Sequence, residues 1–265
     1  MTISLGQYIP GTSVFHRADP RTKILWTVAM MVLILVINSF AGYAVAVAFV
    51  VLVTLLSGIS FRLVVKSLKP VLFFLIFTVV FNLIFYKGDT LLFEIGFLHV
   101  YLESIFFSIK MLLRIILLVS SASLLTYTTT SVTITDGMES LMKPLAKVGF
   151  PAHDVAMMMS IALRFIPTFA DETDKIMKAQ ASRGAEFESG NLFTKIKSYV
   201  PVLVPLFVGA FKRAEEMATA MEARCYRGGK GRTKYKVLAF GKADIIVTVL
   251  TAAFAAATVV IRILV

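Results

Sequence analysis

Charge is scarce in this chain: 16% of its 265 residues are Asp, Glu, Lys or Arg, against about 25% in an ordinary soluble domain. Apolar residues make up 58%, and the mean hydropathy is +0.83, the composition of a membrane protein. A single cysteine, Cys225, excludes an intramolecular disulfide and a cysteine-based metal cluster. The three histidines, His16, His99 and His153, are too scattered to make a metal site by spacing. Catalytic signatures are missing as well. No G-x-x-x-x-G-K-[ST] occurs; "RGGKGRTK" (Arg227 to Lys234) lacks the phosphate-loop spacing, follows no strand, and reads as a basic hinge. Neither H-E-x-x-H nor G-x-S-x-G is present. ATP hydrolysis by this chain, a resident cofactor and a metal site are therefore not expected. The opening stretch is polar and turn-rich, without the charged, apolar and small-residue succession of a signal peptide, so it is expected to belong to the mature protein.

What the sequence does have is long apolar runs. Two, Ile24 to Ile37 and Gly42 to Leu56, are separated only by "NSFA" (Asn38 to Ala41) and predict a helical hairpin whose arms are short for a bilayer. Further runs extend from Pro70 to Tyr86, from about Tyr101 to Tyr127, and from Ala243 to Val265. The expected fold is all-α: a polytopic membrane protein with about five transmembrane helices and a cytoplasmic unit of about three helices. The expected organisation is 1–127 for the amino-terminal segment and four spans, 128–242 for the cytoplasmic unit, and 243–265 for the last span.

Net charge is +11, and its placement decides what it means. Arg17, Arg21 and Lys23 precede the first span, and Arg62, Lys66 and Lys69 follow the second, whereas the first hairpin loop carries no charge and the loop after the third span offers only Lys87. The rule that cytoplasmic loops collect Lys and Arg puts the amino terminus inside, and residues 128–242 with it. That segment holds 17 of the 27 basic and 11 of the 16 acidic residues. The mixture fits a folded helical unit in contact with proteins and lipid rather than a nucleic-acid arm.

Three helical runs are expected there: about Thr133 to Val148, Ala152 to Arg183, and Lys195 to Arg224. The two long ones each begin apolar ("VAMMMSIALRFIPTF", "YVPVLVPLFVGAF") and end charged, so each is expected to hold one end in or on the membrane and the other in water. The apolar halves, interrupted by Arg164, Pro167, Pro201 and Pro205, are short for crossing and suit an interface or a protein core. Eight of the twelve methionines fall in this unit, and flexible thioethers suit a surface that meets more than one partner or fills a core. Elsewhere, Lys110 and Arg114 share a face of the fourth span at i, i+4 spacing. They suit a snorkelling position near the outer interface, and no acid accompanies them deep in the membrane to serve a proton or sodium pathway. Phe73, Phe77, Phe81 and Phe85 make an aromatic stripe of the kind that packs on lipid or a helix. "SSAS" (Ser120 to Ser123) permits close helix packing.

The two long runs end alike, in "ASRG" (Ala181 to Gly184) and "ARCYRG" (Ala223 to Gly228). Arginine near a helix end followed by glycine is a common stop signal. Two such ends on one cytoplasmic unit of a protein without its own engine form a pair of docking prongs, in which small neighbours let each arginine approach another protein and make charged hydrogen bonds.

Three stretches together, "GQYIPGTSVFHRADPRTK" (Gly6 to Lys23), "ALRFIPTFADETDKIMKAQASRG" (Ala162 to Gly184) and "MEARCYRGG" (Met221 to Gly229), make the chain similar over essentially its whole length to the transmembrane T component (EcfT) of energy-coupling factor transporters. The resemblance implies a non-catalytic scaffold in a prokaryotic cell membrane. Such a scaffold joins two ABC-type ATPases, which bind the ATP, to one or several interchangeable S components that bind a vitamin or metal ion. The family's two short arginine signatures dock on the ATPases. They fall here on Ser182, Arg183 and Gly184, and on Ala223, Arg224 and Cys225, with serine before the first arginine and cysteine after the second where the family's simplest pattern has alanine and glycine. The family's coupling helices hold the S component, which implies contacts from Met157, Met158, Met159, Phe165, Phe169, Val204 and Phe207. The alternative is a self-contained secondary transporter or channel.

Overall fold

The structure, a computed structural model, describes residues 7–86, 88–95, 98–187, 191–228 and 238–264. It is 81% helical and divides into two compact units, one comprising Gly6–Ser140 with Leu238–Val265 and the other Leu141–Val237.

The first unit begins with a short helix α1 (Val14–Arg17), followed by α2 (Pro20–Val36) and α3 (Phe40–Ser57). Asp19 caps α2, its Oδ1 accepting from the Arg21 N–H at 2.9 Å, with Pro20 at the first helical position, where a missing N–H costs nothing. Ser39 caps α3 through Gly42, and Gly58 ends α3 in the left-handed conformation at φ +68°. Then come α4 (Phe61–Ser67), a 3-10 turn (Lys69–Val71), α5 (Leu72–Phe85), two short strands β1 (Leu91–Ile95) and β2 (Leu98–Tyr101), α6 (Leu102–Thr128), α7 (Ser131–Met142, shared between the units from Leu141) and α10 (Lys242–Leu264). The strands pair antiparallel, Leu91 opposite Tyr101. They are a local addition to an all-α molecule.

Among the described residues, four helical stretches are long and apolar enough to cross a membrane: Phe40–Ser57, Phe61–Phe85, Leu102–Thr128 and Lys242–Ile263. The expected first span is α2, with 17 residues and hence a length of about 25 Å. The basic residues Arg62, Lys66 and Lys69, expected in a loop, lie instead on helical turns continuous with α5. Lys87 lies outside the described residues.

Helix α6 is the axis of this unit and touches α2, α3, α4 and α5, while α10 packs on α2 and α3. The core between them is built from Trp26, Met30, Ile34, Val53, Leu117, Leu124 and Val247, with Phe49 stacked on Phe254 at 4.6 Å. Gly137 of α7 lets that helix close on α2: a Cβ there would meet Ile24 and Pro20 at 3.1 Å.

The amino-terminal signature has a structural task here. His16 bonds Ser13 Oγ at 2.7 Å and the Ile9 carbonyl at 3.0 Å, and the Ile9 N–H donates to the Tyr127 carbonyl. Lys23, only 3% exposed, donates through Nζ to the carbonyls of His16 (3.2 Å) and Thr128 (3.1 Å) and feels the charges of Asp19 and Asp244. Asp244 in turn accepts from the backbone N–H groups of Asp19 and Gly241, both at 2.7 Å. One buried polar cluster thus ties the start of α2 to the end of α6 and the start of α10.

The second unit is a 3-10 turn (Lys143–Val148) and two long helices, α8 (Ala152–Ser182) and α9 (Leu192–Ala223). Its buried hydrophobic residues, among those described, are only Ala152, Ala156 and Val202.

Candidate docking site at the ends of a helical hairpin

Contacts between α8 and α9 run in opposite order along the two helices. Gln180 reaches Pro201, Glu172 pairs with Arg213 at 2.8 Å, and Tyr226 beyond the end of α9 reaches His153 near the start of α8 at 3.4 Å. The helices are therefore antiparallel. Phe169 lies under the Arg213 guanidinium, 5.2 Å from ring centroid to Cζ, and beside Phe165 at 6.1 Å, while Phe187 past α8 meets Tyr199 at 5.4 Å. Gly209 admits the Glu172 carboxylate, which would lie 3.3 Å from an added Cβ.

The prolines in α9 are absorbed locally. Pro205 has no N–H to give the Pro201 carbonyl, and the side-chain amide of Gln180 approaches that carbonyl at 3.5 Å instead.

This geometry corrects one expectation. The two apolar halves do not lie side by side, because antiparallel packing sets the apolar half of each helix against the charged half of the other. The hairpin therefore does not divide into a membrane end and a water end.

The two helix ends are the same structure. At the end of α8 the Ala185 N–H donates to the Gln180 carbonyl and the Gly184 N–H to that of Ala181, each at 3.0 Å, with Gly184 left-handed at φ +90°. At the end of α9 the Tyr226 N–H donates to Met221 at 3.0 Å and the Cys225 N–H to Glu222 at 2.8 Å, with Cys225 left-handed at φ +56°. Both are Schellman caps with the 6→1 and 5→2 bonds in the same register. Arg183 and Arg224 occupy the same cap position, and both are exposed. Ser182 returns its hydroxyl to the Lys178 carbonyl at 3.1 Å, so its side chain stays on its own helix. Cys225 takes the place that Gly184 fills at the other end and is an exposed free thiol. Sequence spacing pairs the arginines; the cap register that makes them equivalent appears only in the backbone bonds.

Since the helices are antiparallel, the two arginines sit at opposite ends of the hairpin. Arg224 lies level with the first turns of α8, so some 26 residues of that helix, on the order of 40 Å, separate the prongs.

Of the residues expected to meet an S component, Met158, Met159, Val204 and Phe207 are exposed, whereas Met157 is half-buried and Phe165 and Phe169 pack within the hairpin. Val204 and Phe207 belong to a longer exposed stripe on α9 that also includes Phe193, Ile196, Val200 and Phe211. Its three- and four-residue spacing was available in the sequence as a helical periodicity. Of the "RGGKGRTK" hinge, Gly229 to Lys234 lie outside the described residues. Among the described residues no group of His, Cys, Asp and Glu could hold a metal ion.

Residues 11–235 match the family model of CbiQ, a cobalt transport protein. The chain is 52% identical over 252 residues to the energy-coupling factor transporter transmembrane protein EcfT of Ruminiclostridium cellulolyticum, covering 95% of this chain and 94% of the relative. It is 51% identical over 260 residues to that of Thermosediminibacter oceani, covering 98% of each, and 46% identical over 240 residues to that of Bacillus subtilis, covering 91% of each. The chain belongs to the CbiQ family, together with the EcfT transmembrane proteins of energy-coupling factor transporters.

Proposed function

We propose that this chain is the non-catalytic scaffold of an ATP-driven importer, joining two ABC-type ATPases to a membrane S component that binds a vitamin or metal ion. The amino terminus and the hairpin face the cytoplasm of a prokaryotic cell, and ATP is bound by the partner subunits. The observation that carries this reading is the pair of equivalent, exposed arginine caps at opposite ends of one antiparallel hairpin. A single docking partner needs one such prong. Two, held on the order of 40 Å apart by α-helix, suit two copies or two homologues of a partner. ATP-driven movement of the ATPases displaces the two ends, and the helices carry that displacement to the S component through the exposed apolar stripe of α9 and the neighbouring methionines of α8. The thin core of the hairpin supports a role with covered faces, because long helices draw most of their stability from packing an apolar face.

Arg183→Glu and Arg224→Glu test the docking. Neither arginine side chain takes part in the cap bonds, which are all backbone, so the folded hairpin should survive. Each variant should weaken capture of one ATPase by tens- to thousands-fold, the range for losing a buried charged contact and leaving its partner unpaired. A double variant that co-purifies with both ATPases and supports normal uptake would refute the assignment. Liposomes holding this chain alone should show no substrate flux until ATPases and an S component are added; flux from the chain alone would establish a self-contained transporter.

A further inference from the structure

Lys110 and Arg114 lie one turn apart on α6, but the structure uses them differently. Arg114 is committed to bracing the α2–α3 loop: Nε donates to Tyr43 Oη at 3.0 Å, and a terminal nitrogen to the Ile37 carbonyl at 2.9 Å and Asn38 Oδ1 at 3.2 Å. Lys110 has no such partner. Its ammonium stands 4.9 Å above the Phe40 ring and faces a cavity of about 570 Å³ between the α2–α3 loop, α6 and the last turns of α10. The walls are apolar, with Leu33, Val36 and Val259 among them, and the polar rim carries Asn38, Lys110 and Arg262. Arg262 has no ion pair among the described residues, and no acidic side chain lines the cavity. The first residues of α3, Phe40 to Gly42, line the same cavity at the positive end of an 18-residue helix.

Favourable placement at the end of α10 accounts for Arg262, and the Phe40 ring offers Lys110 some compensation. Neither accounts for two cations lining one apolar cavity that has no acidic side chain among the described residues. The hairpin supplies the missing context. Helix α2, at about 25 Å, falls short of a hydrocarbon core of about 30 Å, and local thinning of the bilayer, one of the ways a short span is accommodated, would bring headgroups down to the level of the Asn38 loop. We propose that the cavity is a binding site for one anionic phospholipid, its phosphate between Lys110 and Arg262 and the start of one acyl chain along Leu33 and Val259. Basic side chains near an anionic membrane surface favour anionic lipid by about fivefold each.

The full-length chain is purified in detergent, incubated with equal amounts of phosphatidylglycerol and phosphatidylcholine, and the retained lipids are counted by native mass spectrometry. The wild type should keep phosphatidylglycerol in preference. K110A/R262A should lose that preference by roughly tenfold or more, whereas K66A/K69A, which removes equal charge from α4 and the turn after it, should keep it. R262A alone, at an exposed position in the last helical turn, should lose it severalfold, and this keeps the test decisive should K110A impair folding. The proposal is overturned if the wild type shows no preference, if K110A/R262A and R262A both bind like wild type, or if millimolar inorganic phosphate displaces the lipid, which would mark an anion site without lipid recognition.

Discussion

Position 225 asks for a residue without a Cβ and has cysteine. Both long helices close with the same two backbone bonds, and the residue after the cap must turn left-handed to make them; Gly184 does so freely at φ +90°, with open space around it, whereas Cys225 does so at φ +56° against the clash of its Cβ with the backbone. The penalty for an L-residue there is about 1 kcal/mol, so the last turn of α9 should open more readily than that of α8. Cys225→Gly should raise hydrogen-exchange protection of the amides at Cys225 and Tyr226 about fivefold. Gly184→Ala should lower protection at Gly184 and Ala185 by a similar factor. Unchanged protection in both variants would mean that the left-handed turn is not what holds these ends. The serine beside Arg183 raises no comparable issue, because its hydroxyl is satisfied within its own helix.

At the scale of elements, the buried cluster around Lys23 joins helices that are far apart in sequence. Lys23→Met keeps the volume and apolar stem but takes from Asp244 the cation it faces, leaves Asp19 only Arg21 at 3.6 Å, and deprives two carbonyls of a donor. Removing one member of such a buried set costs about 3 to 5 kcal/mol, which should lower the midpoint of thermal unfolding in detergent by roughly 10 °C. Arg21→Ala removes a partly exposed guanidinium from the Leu238 carbonyl, the Phe240 ring and a long 3.6 Å pairing with Asp19, whose carboxylate keeps Lys23 nearby, and should cost less. Equal midpoints for the two variants would contradict the cluster's role. This cluster also marks where the sequence stops being readable. Apolar runs of helical length identify the membrane helices because composition alone sets them, and the arginine endings are legible because cap signals are local. The direction in which α8 meets α9, the pairing of Asp19 with Asp244 across 225 positions, and the division of labour between Lys110 and Arg114 depend on contacts between distant residues. No periodicity encodes those. The helical turns at Arg62 to Lys69 are hidden in the sequence for another reason: charge density reads as loop, although the exposed face of a helix at the membrane surface carries it equally well.

For the whole molecule the decisive matter is which side of the membrane the hairpin occupies, and its geometry already bears on crossing. Were α8 and α9 to span the bilayer side by side, the charged half of each would lie beside the apolar half of the other, and no common apolar belt would exist for lipid to cover. Lysine and arginine placement predicts that both helix ends lie in the cytoplasm, as the proposed function requires. The chain's single cysteine supplies the probe, since Cys225 is exposed and sits at one prong. A membrane-impermeant maleimide should label it in inside-out vesicles and leave it unlabelled in intact cells, and Ser182→Cys in a Cys225→Ser background should behave identically at the other prong. A crossing hairpin separates the two outcomes: α8 would carry residue 182 outside and α9 would return residue 225 inside. Labelling of residue 182 from outside, with residue 225 still reached only from within, would establish crossing and remove Arg183 from any cytoplasmic ATPase. Labelling of both from within leaves the two arginines on the one side where ATP is available.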